Sequence, residues 1–338
     1  MKNGWIASCV TITFFILAAG CANQEQELTT GLITGSITDA QNLPLDSAEV
    51  VTEPVTVTVY TNDSGAFEIP DVQPGDYTVT ANKRTYIPAL ANGQVTAGEV
   101  ATADISLVQN TRVVLGEMLT TACHCADDAR AEIYQTKSTL GDQFVYVEYH
   151  ASIDPLFETW DPFATEASEA RRLFFGADTF TLGNWLFLDG TNLLTTAGNY
   201  EQTIDSLLGV YSPLALSITG SYASGAGNCE ITITAVDTIT WTDLVVEFAI
   251  FERGPIIYSP SGPCLIPFEY FLVAMPEHEP LEIHYGETIT MSKTFTVPDT
   301  IGGSLPPFHA VDHTNIGIVI FVQSAGSHEI LQAGSIRF

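Results

Sequence analysis

The chain has 338 residues, 46% of them hydrophobic, 10% aromatic and 15% charged, with a mean hydropathy of +0.19, which excludes disorder and low-complexity repeats. Eleven lysines and arginines face 40 aspartates and glutamates, for a formal charge of −29. A field of that sign repels phosphate backbones and anionic lipid, so nucleic-acid binding and basic-patch membrane binding are excluded.

Residues 1–20 combine Lys2 with an apolar run from Ile6 to Ala19, too short to span a bilayer and placed like a secretory leader. Residues 21–28 form a polar tether. From 29 to 108, alternation predicts strands at 32–38, 55–60, 66–69, 77–81 and 100–107. Asn62-Asp63-Ser64-Gly65 and Gln73-Pro74-Gly75-Asp76 supply the turn chemistry between them. Phe67 and Tyr77 fall at core-facing strand positions. Between 111 and 211 the period changes. Strands are expected at 112–119, 143–149 and 185–188, and helices from Asp127 towards Lys137, at 164–174 and at 200–208. From 212 to 338 strands are expected at 214–219, 230–236, 244–251, 288–297, 316–323 and 330–337, which reads as a β-sandwich. Short linkers fall near 108–111 and 210–212, and no later stretch has the length and apolarity of a transmembrane helix.

Several of these segments resemble known families. Leu17-Ala18-Ala19-Gly20-Cys21 resembles a bacterial lipobox, which implies that Cys21 becomes the lipidated N-terminus and anchors the chain to the membrane. Ala22, where inner-membrane retention would use aspartate, points to an outer-membrane lipoprotein, periplasmic or surface-facing. Gly35, Asp39, Pro44, Leu45, Ala48, Val50, Gly65, Phe67, Pro74, Gly75 and Tyr77 resemble the landmarks of a carboxypeptidase regulatory-like domain. That resemblance implies a prealbumin-type sandwich serving as spacer or binding module, glycan binding included.

The β-α-β-α-β-α order over 111–211, with cysteines at a strand-to-helix turn, suggests a thioredoxin-like α/β domain. Residues 111–338 also resemble a family of outer-membrane lipoproteins in which a thioredoxin-like domain precedes a β-sandwich. The residues carrying this are Val113-Val114-Leu115-Gly116-Glu117, His150-Ala151-Ser152-Ile153-Asp154-Pro155, and Leu188-Asp189-Gly190 with Tyr200. Ile318-Val319-Ile320-Phe321-Val322-Gln323 and Glu329-Ile330-Leu331-Gln332-Ala333 complete the set. The expected fold class is therefore mixed and multidomain: an all-β prealbumin-like sandwich at 29–108, an α/β thioredoxin-like domain at 111–211 and an all-β sandwich at 212–338.

An exported chain meets oxidising conditions. Thioredoxin-type exchange uses two cysteines two residues apart at a helix N-terminus, with a cis-proline opposite. Cys123-His124-Cys125 has one intervening residue, Ala122 stands where an aromatic is usual, and Asn184 occupies the place of the proline. Three readings stand side by side. In the first, the turn is degenerate and its cysteines are a structural disulfide or inert thiols. The second is thiol–disulfide exchange, with Cys123 attacking and Cys125 resolving. The third is copper or zinc held by Cys123, His124, Cys125 and His150, with Asp154 a weaker ligand.

Cys229 and Cys264 are a candidate structural disulfide. His309 and His313 are four apart but lack a zincin glutamate and sit beside Pro306-Pro307, so they read as loop histidines. There is no phosphate-binding glycine loop and no nucleophile elbow. The sequence thus favours binding or display at the envelope, towards an envelope protein or a glycan, with oxidoreductase and metal binding as alternatives.

Overall fold

A computed structural model describes residues 29–120, 127–151, 161–176, 185–194, 198–254, 256–258, 266–302 and 308–338. Its N-terminal part holds β1 (Gly31–Asp39), β2 (Glu49–Glu53), β3 (Val59–Tyr60), β4 (Ala66–Val72), β5 (Gly75–Asn82), β6 (Tyr86–Ile87), β7 (Ala89–Val95), β8 (Val100–Thr102) and β9 (Ile105–Gln109). One sheet runs β4-β1-β9-β6, with β8 also on β1, and the other runs β3-β2-β5-β7. Alternate residues of both sheets point inward, so Ile33, Ile37, Val50, Phe67, Ile69, Tyr77, Val79 and Leu107 close one core.

The turn into β4 shows why its residues are what they are. Asn62 Oδ1 accepts from the Ser64 and Ala66 backbone N–H groups and from the Ser64 hydroxyl. Gly65 then turns at φ +74, where a Cβ would lie 2.5 Å from the Ile37 carbonyl oxygen.

Alternation at 55–60 predicts a strand, yet only Val59–Tyr60 pairs. Pro54 offers no N–H, and Val55 and Val57 are 84% and 52% exposed with no second layer to cover them. β2 and β7 escape the pattern because one is framed by glutamates and the other is rich in Ala, Asn and Gly, which are poor strand formers.

Onward come β10 (Val114–Thr120), α1 (Asp127–Leu140), β11 (Phe144–His150), α2 (Glu166–Phe174), β12 (Trp185–Leu188), β13 (Asn192–Leu194) and α3 (Tyr200–Leu208). They are followed by β14 (Leu214–Ala223), β15 (Ala226–Ala235), β16 (Leu244–Glu252), β17 (Ile256–Tyr258), β18 (Ile266–Phe268), β19 (Phe271–Ala274) and β20 (Glu279–Leu281). The chain closes with β21 (Thr288–Thr296), β22 (Thr300–Ile301), β23 (His309–Ala310), β24 (Ile316–Ser324) and β25 (Ile330–Arg337).

A nine-stranded sheet has the order β13-β12-β10-β11-β19-β16-β24-β25, with β20 also on β16. β10 and β11 are parallel, register Val114↔Phe144 to Thr120↔His150, and β12 and β13 run antiparallel beside β10. β11 meets β19 in parallel at Glu148↔Phe271, so the sheet continues from residues 114–194 directly into residues 244–337. Every residue of β10, β11 and β24 is buried, as expected for strands covered on both faces.

Ala129 and Ile133 of α1 and Tyr200 and Ile204 of α3 pack on the β10–β12 region. A second sheet, β14-β15-β21, closes a further core through Ile231 and Ile233 against Val246, Phe248, Ile318 and Ile320. No helix among the described residues is long and apolar enough to cross a membrane.

Both expected linkers enter a buried polar seam. Asn110 Nδ2 donates to the carbonyls of Ser212 and Leu214 at 3.0 and 2.9 Å. Gln332 Nε2 donates to the carbonyls of Thr111 and Leu214, and its Oε1 accepts from Val113 N–H, all at 2.9 Å. Thr85 N–H reaches the Val236 carbonyl, and Arg84 pairs with Asp237 at 2.7 Å.

Candidate functional site

The parallel register brings the C-terminal ends of β10 and β11 level with each other beside the start of α1. Cys123, His124 and Cys125 belong to the connection between β10 and α1, outside the described residues. Cys21, Asp154, Asn184 and Cys264 also lie outside them. Of the residues expected to hold a metal, only His150 is described.

His150 closes β11 and is fully buried. Its Nδ1 lies 3.0 Å from Asp161 Oδ2, and its Nε2 lies 3.4 Å from Glu148 Oε2. Burial opposes the imidazolium, but the two carboxylates outweigh it and hold the His150 pKa above its ordinary value.

Glu148 lies two residues back along the same strand and is equally buried. It receives Arg130 Nε at 3.1 Å and the Tyr134 hydroxyl, while Arg130 also donates to Thr120 Oγ1 at 2.9 Å. Burial pushes the Glu148 carboxyl up, yet Arg130, His150 and Tyr134 together bring it below its usual value. Among the described residues these side chains thus form a chain, Arg130–Glu148–His150–Asp161. Among the described residues no group of three or more His, Cys, Asp or Glu is arranged to hold a metal.

The entrance to α1 is acidic. Asp127 and Asp128 occupy its first turn, where they suit the helix dipole. Arg130, the cation of that turn, is shared between Asp127 at 3.4 Å and Glu148.

Two further buried ion pairs brace the surrounding sheet. Arg171 on α2 grips Glu117 on β10 through two bonds of 2.7 and 2.8 Å, and donates to Gln323 Oε1 on β24 at 2.9 Å. Its guanidinium lies 4.6 Å from the Phe174 ring centroid and 4.8 Å from that of Phe175. Arg112 donates to Asp189 Oδ2 from Nε and NH2 at 2.9 and 2.6 Å, and Asp189 Oδ1 accepts from Leu115 N–H. Gly190 follows at φ +75, where a Cβ would fall 1.9 Å from the His328 carbonyl oxygen.

Of the expected Cys229–Cys264 pair only Cys229 is described, as a free, buried thiol. Cys229 sits on the central strand of the β14-β15-β21 sheet, with its side chain in the core among Ile231, Ile233 and Phe295. Burial pushes the thiol up to about 11.

His309 belongs to the short β22–β23 pair, and its Nε2 lies 2.8 Å from Glu252 Oε2, with its ring against Phe163 and Phe271. Phe163 also meets His150, ring centroids 5.2 Å apart. Sequence reasoning missed Glu117, Arg130, Glu148, Asp161, Arg171 and Glu252. For Glu117, Glu148 and Glu252 the signal was a charge set inside apolar strand patterns, as in Phe144–His150, where only burial on both faces makes a glutamate exceptional.

Residues 32–108 match the carboxypeptidase regulatory-like domain family. No curated protein matches the sequence. Among solved structures, HBP35 of Porphyromonas gingivalis is 13% identical with a TM-score of 0.52, covering 68% of this chain and 76% of that one. A likeness at that identity is one of fold. A protein of Agrobacterium tumefaciens is 16% identical with a TM-score of 0.41, over 68% of this chain and 95% of its own. A DUF3823 family protein from Bacteroides ovatus is 9% identical with a TM-score of 0.23, over 91% and 97%.

Proposed function

We propose that this is a lipid-anchored binding or display protein of the bacterial envelope. In this reading residues 111–211 form a thioredoxin-like unit altered away from thiol chemistry, and residues 212–338 form a β-sandwich that shares its sheet. The thioredoxin-like reading is supported by the succession β10-α1-β11-α2-β12-β13-α3, with strand order β13-β12-β10-β11 and only β10 and β11 parallel. The anchor rests on the lipobox-like Leu17-Ala18-Ala19-Gly20-Cys21, and the outer-membrane address rests on Ala22.

The observation that carries binding over catalysis is the charge around the cysteine turn. A reactive thiolate at a helix N-terminus needs a positive field. Here two aspartates open the helix, and the cation of its first turn, Arg130, is held by Glu148 and Asp127. Copper or zinc is disfavoured on a separate ground, that both His150 ring nitrogens face carboxylates, Nδ1 that of Asp161 at 3.0 Å and Nε2 that of Glu148 at 3.4 Å.

Dithiothreitol-driven insulin reduction by the full chain tests the reading. The wild type is expected to match the Cys123→Ser/Cys125→Ser variant, and a rate lost in Cys123→Ser would make the protein an oxidoreductase. Equal copper and zinc uptake by the same two proteins is expected. Cys21→Ser is expected to move the chain from the detergent phase to the aqueous phase.

A further inference from the structure

Each sheet of the N-terminal sandwich ends in strands whose outer edges offer N–H and C=O groups to a further strand unless something blocks them. Three of the four edges are blocked. β3 and β6 have only two residues each. β4 carries Pro70, which has no N–H, and Asp71 at φ +57, and its register with β1 shifts. β7 has none of these guards. Its seven residues, Ala89-Leu90-Ala91-Asn92-Gly93-Gln94-Val95, include no proline and no charge. They pair with β5 in unbroken register from Ala81↔Ala89 to Gly75↔Val95, and among the described residues no strand pairs with the other edge.

The sheet face beside that edge is acidic and hollow. Asp76 stands opposite Gln94, and Glu53, Thr78 and Asn92 form the next row across β2, β5 and β7. A cavity of about 360 Å³ lies over these two rows, lined by all five side chains. Gln94 Nε2 donates to Asp76 Oδ1 at 3.1 Å, and the Thr78 hydroxyl donates to Asn92 Oδ1 at 2.9 Å, so the polar floor is tied together. Among the described residues no lysine or arginine pairs with Asp76 or Glu53. The cavity is therefore net negative, and its carboxylates are available to a cation from outside.

A strand added to β7 lies two strand spacings, about 10 Å, from β5. A lysine or arginine stem laid over Gln94 covers that distance and brings its charged head to Asp76 in the cavity. Successive side chains alternate between faces, so every second residue of the added segment meets this acidic face. A second copy of this chain is a poor occupant, because its own β7 brings no cation and each chain has a formal charge of −29. We propose that β7 takes up an extended segment of a partner protein by strand addition, with basic side chains at alternate positions seated over Gln94 and Asp76. The inference names a partner class for the binding role above and rests on that role. It does not depend on Cys123 or on acylation at Cys21.

The test is equilibrium binding of the full chain in detergent to the end-blocked heptapeptide Thr-Lys-Thr-Arg-Thr-Lys-Thr, at about 0.15 M salt and up to about 5 mM peptide. The wild type should bind it, and binding should slow hydrogen exchange at the Ala89–Val95 amides. The same peptide with every backbone N–H methylated keeps its charge but has no donor for the edge, so it should bind about tenfold more weakly or worse. Thr-Glu-Thr-Glu-Thr-Glu-Thr should not bind. Asp76→Asn keeps an oxygen for Gln94 Nε2 and removes the charge, so it should cost about threefold or more in affinity. Asp76 is exposed, and an equal melting temperature separates loss of ligand from loss of fold. No binding of the basic peptide, equal binding of its methylated form, an unchanged Asp76→Asn variant, or protection confined to other strands would overturn the inference. Self-association abolished by Leu90→Lys would overturn it in favour of a second copy. Insulin reduction and phase partitioning read the parent role without any peptide, so the two fail separately.

Discussion

Replacing Arg171 by methionine removes the guanidinium that ties α2 to both halves of the long sheet. Glu117 is 0% exposed and would keep its carboxylate with two charge-assisted bonds gone, while Gln323 Oε1 would lose its donor. Breaking a buried pair from one side costs about 3–5 kcal/mol, because the remaining charge is left without compensation. At about 2–4 °C per kcal/mol for a unit of this size, Arg171→Met should lower the melting temperature by about 10 °C. Glu117→Leu/Arg171→Met removes both charges and fills the space with apolar atoms, so it should recover most of that loss. Urea unfolding followed by circular dichroism at neutral pH measures both. A single variant costing under about 1 kcal/mol, or a double variant as costly as the single, would refute the view that this pair clamps the sheet.

Three more outcomes are expected. Glu148 has a lowered folded pKa, so its contribution to stability is present above about pH 4.3 and lost as pH falls through the folded value. His150 has a raised one, so its contribution is full below about pH 6.5 and lost as pH rises through the folded value. Melting temperature against pH should therefore plateau between those limits, and His150→Gln should remove the alkaline decline. Cys229, buried and pushed up to about 11, should ignore Ellman's reagent at about pH 8 in the folded chain and react once unfolded, read in a variant keeping it as the only cysteine. With a formal charge of −29, and Arg112, Arg130, Arg171 and Arg172 buried, the surface is strongly acidic. The melting temperature should rise as NaCl goes from about 0.01 to 1 M and the Debye length shrinks from about 30 to 3 Å; no change would argue against self-repulsion.

Much of the architecture was legible because burial leaves a periodic trace. Trp185–Leu188 and Tyr200–Leu208 fall where the sequence put them, and Phe144–His150 is displaced by a single residue, since apolar runs and helix faces are local signals. The continuation of the sheet through Glu148↔Phe271 was not legible. That pairing joins residues far apart in the chain, and β19 has only four residues with no turn signal of its own. The burial of Cys229 was not legible either, because spacing alone cannot say which face of a strand a side chain takes; it lies on the core face with Ile231 and Ile233.

The most direct test is the acidity of the Cys123 thiol. Alkylation of the reduced full chain by iodoacetamide across pH, read at the Cys123 peptide by mass spectrometry, gives it. Asp127, Asp128 and an Arg130 whose charge is paired with Glu148 should leave the midpoint at or above the free-thiol value of about 8.5. A midpoint below about 7 would show a thiolate poised for exchange and would contradict the binding account.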